Sequence, residues 1–426
     1  MTTAKKTFLE ALAITEGLVR DIMFMCRTRK KQTYFTRKDC KMSFLDLILF
    51  LINLNKRTIQ LELDDFCEIT KGGEEFITKQ AYSEARQKIS PVAFIEMTDV
   101  ITDWYYNDDE FRKFRGYRLS AIDASIIELP NTERLRDTFG YAEGGTNVKL
   151  ARAKVSGLYD LENDLMLSSI IAHYRLGERD LAKVLIEDLE QKGLKKDLIL
   201  FDRGYLGGPF LGYLGTSNIH FLMRVKSNED KQILAAQEPD QIITYIATKE
   251  ATITIRVVRF PLDSGEEEVL VTNLLDEDLS LDDFKKLYFR RWGIETKFDE
   301  LKNRIEVQNF SGETPIAIEQ DFYASIYLSN MAALAKREAN EAIEERNNGK
   351  ELKYDYQTNT NILIGKLKDK LILMLLEPDP DKRAAEYHRI MERISANVVP
   401  IRPDRKNPRK KGLRAIKHPR NRKRSL

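Results

Sequence analysis

Along the first 115 residues apolar positions recur at helical spacing, as in Met42 to Leu54 and Pro91 to Tyr106, and no strand-like run dominates. This stretch, 1–115, predicts an N-terminal helical region. Within it Thr78 precedes K-Q-A-Y-S-E-A-R-Q-K, a Ser/Thr cap followed by a short polar helix carrying Lys79, Gln80, Ser83 and Arg86. Lys79 and Arg86 are candidate DNA contacts, because such side chains reach phosphates and base edges. A solvated polar face explains the same pattern equally well.

From Tyr117 the period changes to that of strands. YRLSAIDASIIEL, VKLARAKVSGLYD and LMLSSIIAHYRL, separated by turn residues including Gly144, Gly145, Asn163 and Asp164, predict a three-stranded antiparallel meander. A helix over Glu178 to Gln191 leads to LILF, a continuous apolar run expected of a parallel strand buried on both faces. A short helix near Gly208 to Leu214 then precedes the strand HFLMRV, giving an α/β order over residues 116–226. Residues 227–280 break the pattern with two further strand candidates, ATITIRVVRF and EEEVLVTNLL, read as a β-rich insertion. Leu281 to Ile305 predicts one strong helix within a segment 281–315, and 316–399 is again helical.

Length and composition narrow the class. A chain of 426 residues holds roughly two to four structural units, and 42% hydrophobic with 32% charged residues is ordinary for a globular protein. The most apolar run, Phe44 to Leu54, is far short of the roughly 20 residues that cross a bilayer, so no membrane partner is expected. The amino terminus has no long apolar segment with a small-residue cleavage site, which predicts a cytoplasmic protein. Three cysteines without C-x-x-C spacing and four histidines argue against a zinc centre. Any catalytic metal would therefore be a hard cation on oxygen ligands. The net charge of +2 conceals a polarised chain, since residues 401–426 hold twelve Lys or Arg against the single acid Asp404. Such a tail, 400–426, suits local contacts with a polyanion, although a solubilising tail has the same composition.

Three carboxylates carry the candidate chemistry. Asp123 lies in mid-strand, an awkward place for an uncompensated charge. Asp202 follows LILF at a strand end, where α/β sheets bind ligands, and Arg203 comes next. Taken singly, each aspartate reads better as structural. The helix YFRRWGIETKFDELK changes that balance: on an uninterrupted helix Tyr288, Arg291, Glu295 and Lys302 share a sector about 60° wide beside the apolar stripe. Two hard cations on the acids Asp123, Asp202 and Glu295 would activate an attacking oxygen and stabilise a leaving one at a phosphodiester. Arg291 and Lys302 would hold phosphate oxygens, and Tyr288 would hydrogen-bond phosphate or pack on sugar.

These residues resemble the DDE transposases of the insertion-sequence-four family. The helix motif Y-x2-R-x3-E-x6-K is met by Tyr288, Arg291, Glu295 and Lys302, and I-D-A-S at Asp123 and F-D-R-G-Y at Asp202 resemble the two aspartate motifs. S-G-L-Y-D, G-E-R-D and V-T-N-L-L are similar to family segments as well. The resemblance implies a ribonuclease-H-like core interrupted by the β-rich insertion and flanked by N-terminal and C-terminal helical regions. It further implies Mg2+, as two ions that Mn2+ can replace, and catalysis of cleavage at transposon terminal inverted repeats with strand transfer into target DNA. A homodimeric synaptic complex and a bacterial, nucleoid-associated location go with it. Some relatives excise through a DNA hairpin with a flipped base on a tryptophan of the insertion; here the two tryptophans, Trp104 and Trp292, lie outside it. The alternatives are a transposase-derived DNA-binding protein that recognises ends without cutting, and a plain nuclease on the same core. The presence of both aspartates and all four helix positions argues against loss of the site.

Overall fold

A computed structural model describes residues 6–37, 40–53, 58–143, 148–226, 230–262, 265–275 and 278–402. The tail from residue 403 and the turn residues Gly144 and Gly145 lie outside the described residues. The chain divides into two compact units, one of residues 1–107, 127–153 and 300–426, the other of residues 108–126 and 154–299.

The first unit is helical and is organised around the 33-residue helix Pro315–Asn347. Pro315 starts it where the missing N–H costs nothing, and the Thr314 side chain caps it by accepting from the Ala317 N–H. Its middle is buried on all sides, with small residues such as Ala324, Ser325, Ser329 and Ala332 letting neighbours approach closely. The helices Phe8–Arg20, Phe44–Asn53, Val92–Tyr105, Thr360–Leu376 and Pro380–Ala396 pack around it.

Within this unit the helix Lys79–Arg86 forms as expected, capped by Thr78, and Lys79 is exposed on it. Arg86 requires a correction, because its side chain is buried at 2% exposure. It pairs with Asp321 at 2.8 Å and also donates to Gln320, Ser311 and the carbonyl of Ala317. A guanidinium with its donors committed to buried acceptors is a structural cross-link and leaves the candidate DNA contacts.

The second unit is built on a mixed sheet. Its strands are β1 (Arg118–Glu128), β3 (Lys149–Asp160), β4 (Leu165–His173), β5 (Asp197–Phe201), β6 (His220–Val225), β7 (Asp240–Ile246), β8 (Thr252–Pro261) and β9 (Glu267–Thr272); the last two residues of β1, the start of β3 and the short β2 (Tyr141–Glu143) paired to it are counted in the first unit. Spatial order runs β4-β3-β1-β5-β6-β9-β8-β7. β5 lies parallel to β1 and to β6, and all five of its residues are buried, which explains its unbroken apolar run.

Two sequence expectations change here. Among the described residues the insertion 227–280 contributes three strands rather than two, and they extend the same sheet through antiparallel pairing of β9 with β6. The single helix expected over Leu281 to Ile305 is two helices, Leu281–Phe289 and Trp292–Asn303. Between them Arg290, Arg291, Gly293 and Ile294 donate to carbonyls three residues back, an overwound turn that interrupts the regular wheel. Gly293 lets this turn sit close to Leu161, whose Cδ2 would lie 2.6 Å from a Cβ at that position. Among the described residues no helix is long and apolar enough to cross a membrane.

Candidate active site

The register of β1 and β5 places the two aspartates. The final registered pair is Ala121 with Leu200, and Asp123 and Asp202 each lie two residues further along adjacent parallel strands. Equal offset and equal parity set the two residues side by side, Asp202 just past the carboxyl end of β5, where α/β sheets bind ligands, and Asp123 in the middle of the longer β1.

Burial along β1 relaxes at this point. Residues 118 to 122 are buried, whereas Asp123, Ala124 and Ser125 are half-buried, so Asp123 stands where the sheet opens. Its carboxylate accepts the Ala124 N–H at 2.8 Å, and Ser156 of β3 donates to its carbonyl at 3.1 Å, tying the two strands together. Asp202 caps a short 3-10 turn, Arg203–Tyr205, and accepts the Gly204 N–H at 2.7 Å. A Cβ at position 204 would stand 3.0 Å from Asp202 Oδ1, so glycine keeps that carboxylate unobstructed. Arg203 is exposed at the first position of the turn.

Glu295 arrives from the helix Trp292–Asn303 and is linked to the strands by Arg291. Arg291 Nη2 donates to Glu295 Oε1 at 2.7 Å, and its Nη1 lies 3.9 Å from Asp123 Oδ2. The guanidinium is 7% exposed and lies over the rings of Tyr288 and Trp292, at 5.8 and 5.3 Å from their centroids. Thus Tyr288, Arg291 and Glu295 lie together across the break before Trp292. Lys302 is half-buried, about two turns further along the same helix, in residues that belong to the first unit.

The electrostatics follow from this crowding. Burial pushes the Asp123 carboxyl up to about 6 from an ordinary 3.8, and the charges of Asp202 and Glu295 act in the same direction, against the Ala124 N–H and Arg291. Burial alone would lower the Arg291 guanidinium, but Tyr288, Glu295 and Asp123 together hold it above its usual value. Burial also raises the Tyr205 hydroxyl, which lies within the fields of Asp123, Glu178 and Asp202.

Several residues of this region escaped the sequence reading. Glu268 of β9 is 6% exposed, pairs with Arg224 at 3.2 Å and faces the charge of Arg291. A cavity of about 670 Å³ opens beside Arg291, with Arg224, Lys286, Tyr288, Phe289, Arg290 and Trp292 among its lining. Phe289 and Trp292 are exposed there by 73% and 44%. Only the aromatic and basic run Y-F-R-R-W signalled this surface in the sequence.

The donor set fits a hard divalent cation, since Asp123, Asp202 and Glu295 offer oxygen only and Asp123 lacks full compensation. Among the described residues no three His, Cys, Asp or Glu side chains form a ready-made cage, and Arg291 stands between two of the acids.

A mixed sheet that sets Asp123 beside Asp202, with Glu295 on a helix joined to Asp123 through Arg291, gathers three oxygen-donor carboxylates in one unit. Comparison with known proteins then gives the family. The transposase DDE domain matches residues 114–331, just over half of the 426 residues, and the chain belongs to that family of DDE transposases. No curated protein matches significantly. Among solved structures, the chain is similar to a piggyBac transposase in a synaptic complex with hairpin DNA, at 12% identity and a TM-score of 0.47, covering 89% of this chain and 85% of that one.

Proposed function

We propose that this transposase cuts DNA at the terminal inverted repeats of its element and transfers the freed ends into target DNA. Asp123, Asp202 and Glu295 would act as both catalytic residues and metal ligands. The observation that carries this reading is the reach of Arg291 to Asp123 and to Glu295, with Asp202 at the matching position of the neighbouring strand. Two acids drawn to one guanidinium, with the charge of Asp202 acting on Asp123 beside them, form a site that favours added positive charge. Two Mg2+ ions, replaceable by Mn2+, would supply Lewis acidity at the scissile phosphate.

The chain's own groups have separate tasks in this scheme. Arg291 would turn from Glu295 to a nonbridging phosphate oxygen, and Tyr288 would pack on sugar or hydrogen-bond the same phosphate. Lys302 and Arg203 would hold flanking phosphates, while exposed Lys79 would contact DNA from the helical region 1–115. Residues 116–226 and 281–315 would form a ribonuclease-H-like core divided by the insertion 227–280, with 316–399 supporting it and 400–426 holding DNA. The motif Y-x2-R-x3-E-x6-K supports placement in the insertion-sequence-four family. Action on nucleoid DNA in a bacterial cytoplasm, as a homodimer bridging two ends, completes the proposal.

Glu295→Gln tests it. The variant should bind labelled ends as the parent does and lose Mg2+-dependent nicking. Undiminished nicking would reject the assignment, and loss of end binding with intact folding would favour a recognition role for Glu295.

A further inference from the structure

We infer that β7 is a self-association edge, through which a second copy of this chain pairs antiparallel about a two-fold axis at Ile243. The inference deepens the two-copy reading above and is independent of the carboxylate chemistry.

β7 ends the sheet, with β8 on one side. Ala247 donates to Ala251 on the β8 side, so alternation turns the N–H and C=O groups of Ile242, Thr244 and Ile246 outward. Ile246 is already satisfied, since Gln232 Nε2 donates to its carbonyl and Gln232 Oε1 accepts its N–H, both at 3.0 Å. Among the described residues nothing bonds the outward groups of Ile242 or Thr244. Two open rungs therefore lie symmetrically about Ile243, and Gln232 closes the ladder beyond them.

The side chains argue for a second copy as the occupant. Ile242, Thr244 and Ile246 share one face of β7, with the isoleucines 53% and 58% exposed. From Gln241 to Thr248 the edge carries no charge and no proline, so it lacks the usual protection against pairing. Two-fold pairing sets Ile242 opposite Thr244 of the second copy and diagonal to both of that copy's exposed isoleucines. Asp240 then faces Ile246 of the second copy, so no like charges oppose each other. Four backbone hydrogen bonds form, and the exposed isoleucines merge into one apolar cluster.

In this register Ile243 faces its own copy in a non-hydrogen-bonded pair, with Cβ atoms about 4.5–5.5 Å apart, near the spacing a disulfide needs. Ile243→Cys in a full-length Cys26→Ser background should give a disulfide-linked dimer under mild oxidation, whereas Thr252→Cys in that background should not. Thr244→Pro, which removes one outward N–H, should weaken dimerisation in sedimentation by about tenfold or more. A folded Ile243→Cys protein that fails to cross-link, or a Thr244→Pro protein that dimerises like the parent, overturns the inference. Neither assay reads nicking, so this inference and the catalytic proposal can fail separately.

Discussion

Arg291 and Glu295 stand one helical turn apart and share a 2.7 Å hydrogen bond, and the same guanidinium extends to 3.9 Å from Asp123. A divalent ion seeking those two carboxylates must compete with a fixed organic cation. Replacing Arg291 with Gln removes the competitor while keeping a polar side chain. Mn2+ binding to the DNA-free protein should tighten by about three- to tenfold, as expected from a Coulomb interaction of order 1 kcal/mol. Nicking should fall nonetheless, because the proposed phosphate donor is gone. Mn2+ affinity read by calorimetry or electron paramagnetic resonance decides this, and unchanged or weaker binding would place the cation elsewhere.

Asp123 makes a prediction about stability. Its folded-state pKa of about 6 lies above the ordinary 3.8, and its side chain is 19% exposed. A raised carboxyl favours the native state below about pH 4, and that advantage is lost as pH rises through about 6. Asp123→Asn is neutral throughout, so the chelated variant should match the parent near pH 4 and exceed it by roughly 1–3 kcal/mol above pH 6. Under the proposed metal site, added Mg2+ should narrow the gap, because the parent would gain more from binding it than a variant that has lost one of three carboxylates. Denaturant melts at pH 4 and 7.5, with and without Mg2+, provide the check; a variant less stable than the parent at pH 7.5 would contradict the prediction.

Which parts of this site could be read from the chain depends on how local each signal is. Asp123 and Asp202 were legible because a charge within an apolar strand and an acid at a strand end are both local anomalies. Their equal offset past Ala121 and Leu200 was not, since register depends on pairing between segments nearly eighty residues apart. The helical wheel brought Arg291 and Glu295 together because i and i+4 survive a local distortion, yet it missed the overwound turn at Arg290, for which no proline gives notice. β7 was overlooked although Q-I-I-T-Y-I is rich in β-branched residues, since its role as the sheet's last strand is set by its neighbour.

Arg86 shows the converse failure, in which a polar helix pattern conceals a buried charge. Its partner Asp321 is 235 positions away, beyond the reach of any local pattern. Breaking a buried pair leaves the other charge uncompensated, so Arg86→Ala should cost about 3–5 kcal/mol of stability. Lys79→Ala, at an exposed position of the same helix, should alter stability by less than about 0.5 kcal/mol. DNA binding measured well below both melting temperatures should weaken for Lys79→Ala and remain near the parent's for Arg86→Ala. The reverse order of melting temperatures would contradict the structural role.

The basic tail is separable by design. Ile401 donates its N–H to the Asp355 carbonyl at 2.8 Å, so a cut after Arg402 leaves that bond intact and removes eleven Lys or Arg with the one acid Asp404. What remains is an acidic body. Each phosphate that the protein no longer neutralises flattens the plot of log affinity against log salt by about 0.9 for duplex DNA. Truncation to 402 should therefore weaken binding to random-sequence DNA at low salt and reduce the slope by several such steps. Discrimination between element ends and random DNA should widen, because ion pairs with the backbone read no sequence. Fluorescence anisotropy across a salt series measures both quantities, and an unchanged slope would mean that the tail does not engage the DNA.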